Sequence, residues 1–95
     1  MEVKNVVVMA KKYVAELFQG ENITNLGLEE VVFDESKDIW HITLGFSRPW
    51  DEPRNLLASI SNQPVVLKRT YKVVKIDDGT GRILSVTDRE SRGLS

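Results

Sequence analysis

A chain of 95 residues has room for one small domain, which buries only about 65% of the surface its unfolded form exposes, so one modest core must hold it. Apolar residues make up 41% and charged residues 28%, ordinary globular usage that excludes a disordered chain. A net charge of −1, no cysteine and one histidine exclude a strongly polyanion-binding whole, disulfides, thiolate chemistry and a histidine-rich metal site within one chain.

The longest early apolar run, Val6 to Ala10, is too short for the core of a secretion signal or for a membrane span. The expectation is therefore a soluble, cytoplasmic protein without a membrane partner. Charge is segregated along the chain. Residues 21–47 hold six carboxylates against one lysine, and residues 48–76 hold six cations against two carboxylates. Attraction between neighbouring elements explains this most simply, and a polarised binding surface is the alternative.

Val3, Val6, Val7, Ala10, Tyr13, Val14, Leu17 and Phe18 fall on one helical face, so the spacing predicts an N-terminal helix. Gly20 suits a left-handed stop, and Val8 falls on the polar side. From Leu28 the period changes. Leu28–Asp34 and Ile39–Phe46 read as strands of an antiparallel hairpin joined by the turn-rich Asp34–Asp38 link. In the second strand Trp40, Ile42, Leu44 and Phe46 face one way, and His41, Thr43 and Gly45 the other.

Residues 47–64 read as a connection holding one or two helical turns, with Asp51 as cap and Pro53 in the first turn, ended by Pro64. Val65–Ile76 reads as a long strand with Leu67, Tyr71 and Val73 inward and Lys68, Thr70, Lys72 and Val74 outward. Asp77-Asp78-Gly79-Thr80-Gly81 is a hairpin turn, and Arg82–Thr87 returns with Leu84 and Val86 inward. The expected fold is α+β, with one N-terminal helix packed on a four-stranded antiparallel sheet in the order α-β-β-β-β. Residues 1–90 form the single domain and residues 91–95 a flexible tail.

Tyr71-Lys72-Val73-Val74-Lys75-Ile76-Asp77, followed by Gly79-Thr80-Gly81-Arg82-Ile83-Leu84-Ser85-Val86, resembles the closing hairpin of PepSY-type domains. That resemblance implies a small relative of the cystatin-like fold and a role in inhibiting or regulating peptidases. The inhibitory Gln-x-Val-x-Gly loop of true cystatins is absent, since Gln63-Pro64-Val65-Val66-Leu67 lacks the final glycine.

Candidate chemistry is sparse, and the expectation is a non-enzyme without cofactor or metal. His41 is the one side chain that ordinarily titrates near neutrality, but no nucleophile elbow accompanies it. Asp77–Gly81 lacks the ligand pattern of a calcium loop and the third glycine of a dinucleotide site. Lys68, Thr70, Lys72, His41 and Thr43 would share the open sheet face as a basic platform. The inward placement of Tyr71 and Trp40 leaves no stacking ring there, which weighs against nucleic acid.

The segment Phe46–Arg54 offers Arg48, Trp50 and Arg54, residue types enriched at interface hot spots, on a proline-stiffened loop. The plainer reading has Trp50 capping the sheet and the two arginines paired with local acids. The expected function is a protein–protein interaction or regulatory module, immunity-type or PepSY-like. Its contact residues would be drawn from Arg48, Trp50, Arg54, His41, Lys68 and Lys72. An edge strand offers a route to a homodimer. The alternative is a small-ligand binder or enzyme subunit, with a cleft between helix and sheet lined by Tyr13, Trp40 and Tyr71.

Overall fold

The computed structural model describes residues 1–49 and 69–89. The expected middle helical turns, residues 65–68 of the expected third strand and the C-terminal tail lie outside the described residues. Helix α1 spans Val3–Leu17. Its valines are β-branched and locally favour a strand, but Val6, Ala10 and Val14 recur at i, i+4 and i+8 and are fully buried. Burial of that stripe outweighs propensity. The buried stripe is narrower than the apolar arc: Val3, Tyr13 and Leu17 remain exposed, Leu17 by 52%. Val8 is exposed, as its position on the wheel requires.

The helix stop departs from expectation. The Phe18 N–H donates to the Val14 carbonyl at 3.0 Å, and a single 3-10 turn, Gln19–Glu21, prolongs the coil. The left-handed residue that turns the chain is then Asn22, with φ of 52°, rather than Gly20. The extra turn moves the reversal two residues on, and asparagine tolerates that conformation better than most side chains.

Strands β1 (Thr24–Asp34), β2 (Ile39–Ser47), β3 (Thr70–Asp77) and β4 (Ile83–Asp88) form one antiparallel sheet in sequence order. The fold is therefore α+β, one N-terminal helix on a four-stranded antiparallel sheet. Ile42, Leu44 and Phe46 of β2 and Val74 and Ile76 of β3 are fully buried against Val6, Ala10 and Val14. Leu26, Val31, Trp40, Ile83 and Val86 pack around them. Strand β2 alternates as its sequence predicts.

Its neighbours require three corrections. Strand β1 begins at Thr24, not Leu28, and its register shifts twice, between Thr24 and Gly27 and between Leu28 and Glu30. Asn25 there has φ of 56°. Such bulges erase the alternation by which the strand would be recognised. In β3 the facing is reversed. Val74 pairs with Ile42 and Lys72 with Leu44, so Lys72, Val74 and Ile76 lie on the helix side and Tyr71 and Val73 on the other. Both parities of Tyr-Lys-Val-Val-Lys-Ile carry apolar residues, and pairing with β2 decides between them. In β4, Val86 faces the core as expected, but Ile83 takes the place assigned to Leu84, which is 44% exposed. A register shift between Lys75 and Ile76 changes the parity of the strand at that point.

Both hairpin turns are built around aspartate. In the β1–β2 turn, Asp34 Oδ1 accepts from the Ser36 N–H at 3.0 Å and its hydroxyl at 2.7 Å, and Asp38 is left-handed with φ of 55°. In the β3–β4 turn, Asp77 Oδ2 accepts from the Thr80 N–H at 2.9 Å and its hydroxyl at 2.7 Å, and Gly81 takes φ of 74°. The Asp78 N–H donates to the Asp38 carbonyl at 2.9 Å, which ties the two turns together.

Candidate functional site on the open sheet face

Helix α1 covers one side of the sheet, and among the described residues no element packs on the other. The pairing register writes that open face in rows, running from β1 to β4. Gly27, Gly45 and Tyr71 form one row, which Arg89 ends by donating its N–H to the Tyr71 carbonyl at 3.2 Å. The next rows are Glu30, Thr43, Val73 and Thr87, then Val32, His41, Lys75 and Ser85. Asp34, Ile39 and Asp77 make the last, and the Asp77 N–H donates to the Arg82 carbonyl at 2.9 Å.

The glycine row has a steric cause. A Cβ on Gly45 would stand 2.9 Å from Arg69 Nη2 and 3.0 Å from Tyr71 Cε1, so the missing side chain is the seat for both. Arg69 crosses this seat, donates to the Asn25 carbonyl at 3.0 Å and lies 3.8 Å from the Glu29 carboxylate. Arg89 stacks on Tyr71, its guanidinium carbon 4.1 Å from the ring centroid. Beside this seat runs a shallow groove of about 400 Å³, lined by Glu30, Val32, Asp34, His41, Thr43, Val73 and Arg89. Val32 is 47% exposed there, an apolar side chain where a purely solvated strand would carry a polar one.

The residues singled out from sequence separate in space. His41 lies in the groove. Lys72 lies on the opposite side of the sheet, where its ammonium pairs with Asp88 and sits 5.5 Å from the centre of the Phe18 ring. The Lys72 bond, followed by the charge of Lys72, holds the Asp88 carboxyl below its ordinary pKa. Arg48 lies beside the C-terminal end of α1, donating to Glu21 at 2.7 Å and Thr70 Oγ1 at 3.3 Å. Its guanidinium also covers the Phe18 and Phe46 rings. Trp50, Arg54 and Lys68 lie outside the described residues.

The expected basic platform is thus not assembled as drawn, because Thr70 and Lys72 share the parity of Phe46 and Leu44. Among the described residues, the open face carries Arg69, Lys75 and Arg89, with Arg82 at its β4 margin, none of which sequence reading placed there. The β3 register was the signal that would have found Lys75. Tyr71 does bring an aromatic ring to this face, with Arg89 already lying on it.

The three aromatics of the proposed helix–sheet cleft are not brought together either. Trp40 faces the helix side and donates its indole N–H to Asp78 at 2.8 Å, Tyr71 faces away, and Tyr13 is exposed. Fully buried aliphatic side chains fill the space between helix and sheet.

Among the described residues, no hydrogen bond joins His41 to a carboxylate or a hydroxyl, and no three carboxylate or histidine side chains group as metal ligands. Among the same residues, no helix is long and apolar enough to cross a membrane. Comparison with protein-family models, curated proteins and solved structures finds no match to this chain.

Proposed function

We propose that this domain is a cytoplasmic, non-enzymatic protein–protein interaction module whose docking surface is the open face of the sheet. One observation carries the reading: Val32, Val73 and Tyr71 stand on a face that α1 does not cover, interspersed with Glu30, His41, Lys75 and Arg89. Apolar and aromatic side chains mixed with arginine are residue types found at protein interfaces. The groove is shallow and rimmed by exposed charges, unlike an enclosed apolar pocket for a small molecule. An immunity-type protein, or a PepSY-like regulator of a peptidase, is one concrete form of this reading.

The test is differential capture. The full chain is immobilised and exposed to a lysate of its native cell, beside a Val32→Asp/Val73→Asp variant shown by circular dichroism to keep its fold. Proteins retained by the wild type and lost by the variant are the expected result. Equal retention by both would remove the open face from the function.

A further inference from the structure

We infer that the open sheet face binds a second copy of this chain, face to face about a two-fold axis parallel to the strands. The inference rests on the open face being a docking surface and names its occupant.

Charge selects this partner. Glu30 and Asp34 project from β1 at one margin of the face, while at the β4 margin Arg82 ends the row of Asp34 and Arg89 stands one row beyond that of Glu30. A two-fold axis along the strands lays β1 of each copy over β4 of the other. Each acidic margin then meets the margin that carries the arginines, twice by symmetry, and the facing copy covers Val32 and Val73. A two-fold axis across the strands would lay β1 over β1, acid on acid, and is disfavoured by the same charges. Rotation about the strand direction leaves the strands of the two sheets nearly parallel, the aligned geometry in which sheets commonly pack about 10 Å apart.

The area is sufficient. Four strands about 4.8 Å apart, each covering about eight residues at about 3.3 Å per residue, present roughly 500 Å² per copy. The total, about 1,000 Å², is at the lower bound for a specific interface, so a reversible dimer is expected.

Edge pairing through β1 is the competing route to a homodimer. Two register shifts, left-handed Asn25 and the Glu29-Glu30 pair interrupt the regular edge ladder that such pairing needs.

The experiment is sedimentation velocity on the full chain across a concentration series at low ionic strength, with Glu30→Lys and Arg89→Glu variants. The wild type is expected to run as a concentration-dependent dimer weakened by salt. Each single variant should dimerise at least roughly tenfold more weakly, because symmetry repeats each like-charge contact. An equimolar mixture of the two variants should recover wild-type association, since both margins of the mixed pair then bring opposite charges together. That recovery also excludes misfolding as the cause of the single losses. A wild type that stays monomeric throughout would overturn the inference. So would a dimer indifferent to both charge reversals, which would point to the strand edge. A monomeric chain that still captures a different protein through Val32 and Val73 would leave the docking surface standing and remove only the second copy.

Discussion

The two faces of this sheet are made from the same four strands, yet they tolerate change differently. On the helix side Ile42, Leu44 and Phe46 of β2 and Val74 and Ile76 of β3 are fully buried, and Thr70 and Lys72 continue that face only at the far end of β3. On the open side the rows are interrupted by Gly27 and Gly45, and the apolar groups stand singly among charges. One face stores stability and the other offers a surface. Val73 and Val74 are adjacent in sequence and belong to different faces, which makes them the sharpest internal comparison.

The largest difference is expected at Phe46, which packs against Phe18 with ring centroids 5.3 Å apart. Phe46→Ala should destabilise by about 3–5 kcal/mol in urea unfolding. Val74→Ala should follow at about 2 kcal/mol. Val73→Ala, measured dilute enough to avoid association, should stay within about 0.5 kcal/mol. Equal losses at the two valines would break the comparison.

Gly45 sharpens it from the other side, as an open-face position that does not tolerate addition. Gly45→Ala drives a methyl into the seat of Arg69 and Tyr71 and should destabilise by about 1 kcal/mol. An unchanged urea midpoint would show that the arginine simply swings away.

The smallest effect concerns acid. Asp78 Oδ1 accepts from the Trp40 indole at 2.8 Å and the N-terminal ammonium at 3.0 Å, and these bonds, the indole first, hold its carboxyl below the ordinary value. Because the folded pKa is the lower one, this stabilisation is complete above the unfolded value of about 3.9 and is lost as pH falls below it. Trp40→Phe should therefore flatten the acid limb of the stability profile below about pH 4. An acid limb identical to that of the wild type would mean that the indole bond does not persist in solution.

The helix, strand β2 and both aspartate-led turns were legible because each is fixed by local rules. A 3.6-residue apolar stripe carries α1, strict alternation from Trp40 to Phe46 carries β2, and Asp34 with Asp38, or Asp77 with Gly81, carries the reversals. The candidate surface was legible in part. His41 lay on the expected face, but Lys72 did not, and Arg69, Lys75 and Arg89 went unseen.

From its own residues, then, this chain dictates a helix and strands in that order and the class of fold they make, since periodicity and turn chemistry act over a few residues. Which side of β3 meets the helix, where β1 begins and which charges share the outer face were decided only by tertiary pairing. A period-two strand with apolar groups at both parities has no local reason to choose, and the choice is made by the neighbour it bonds to.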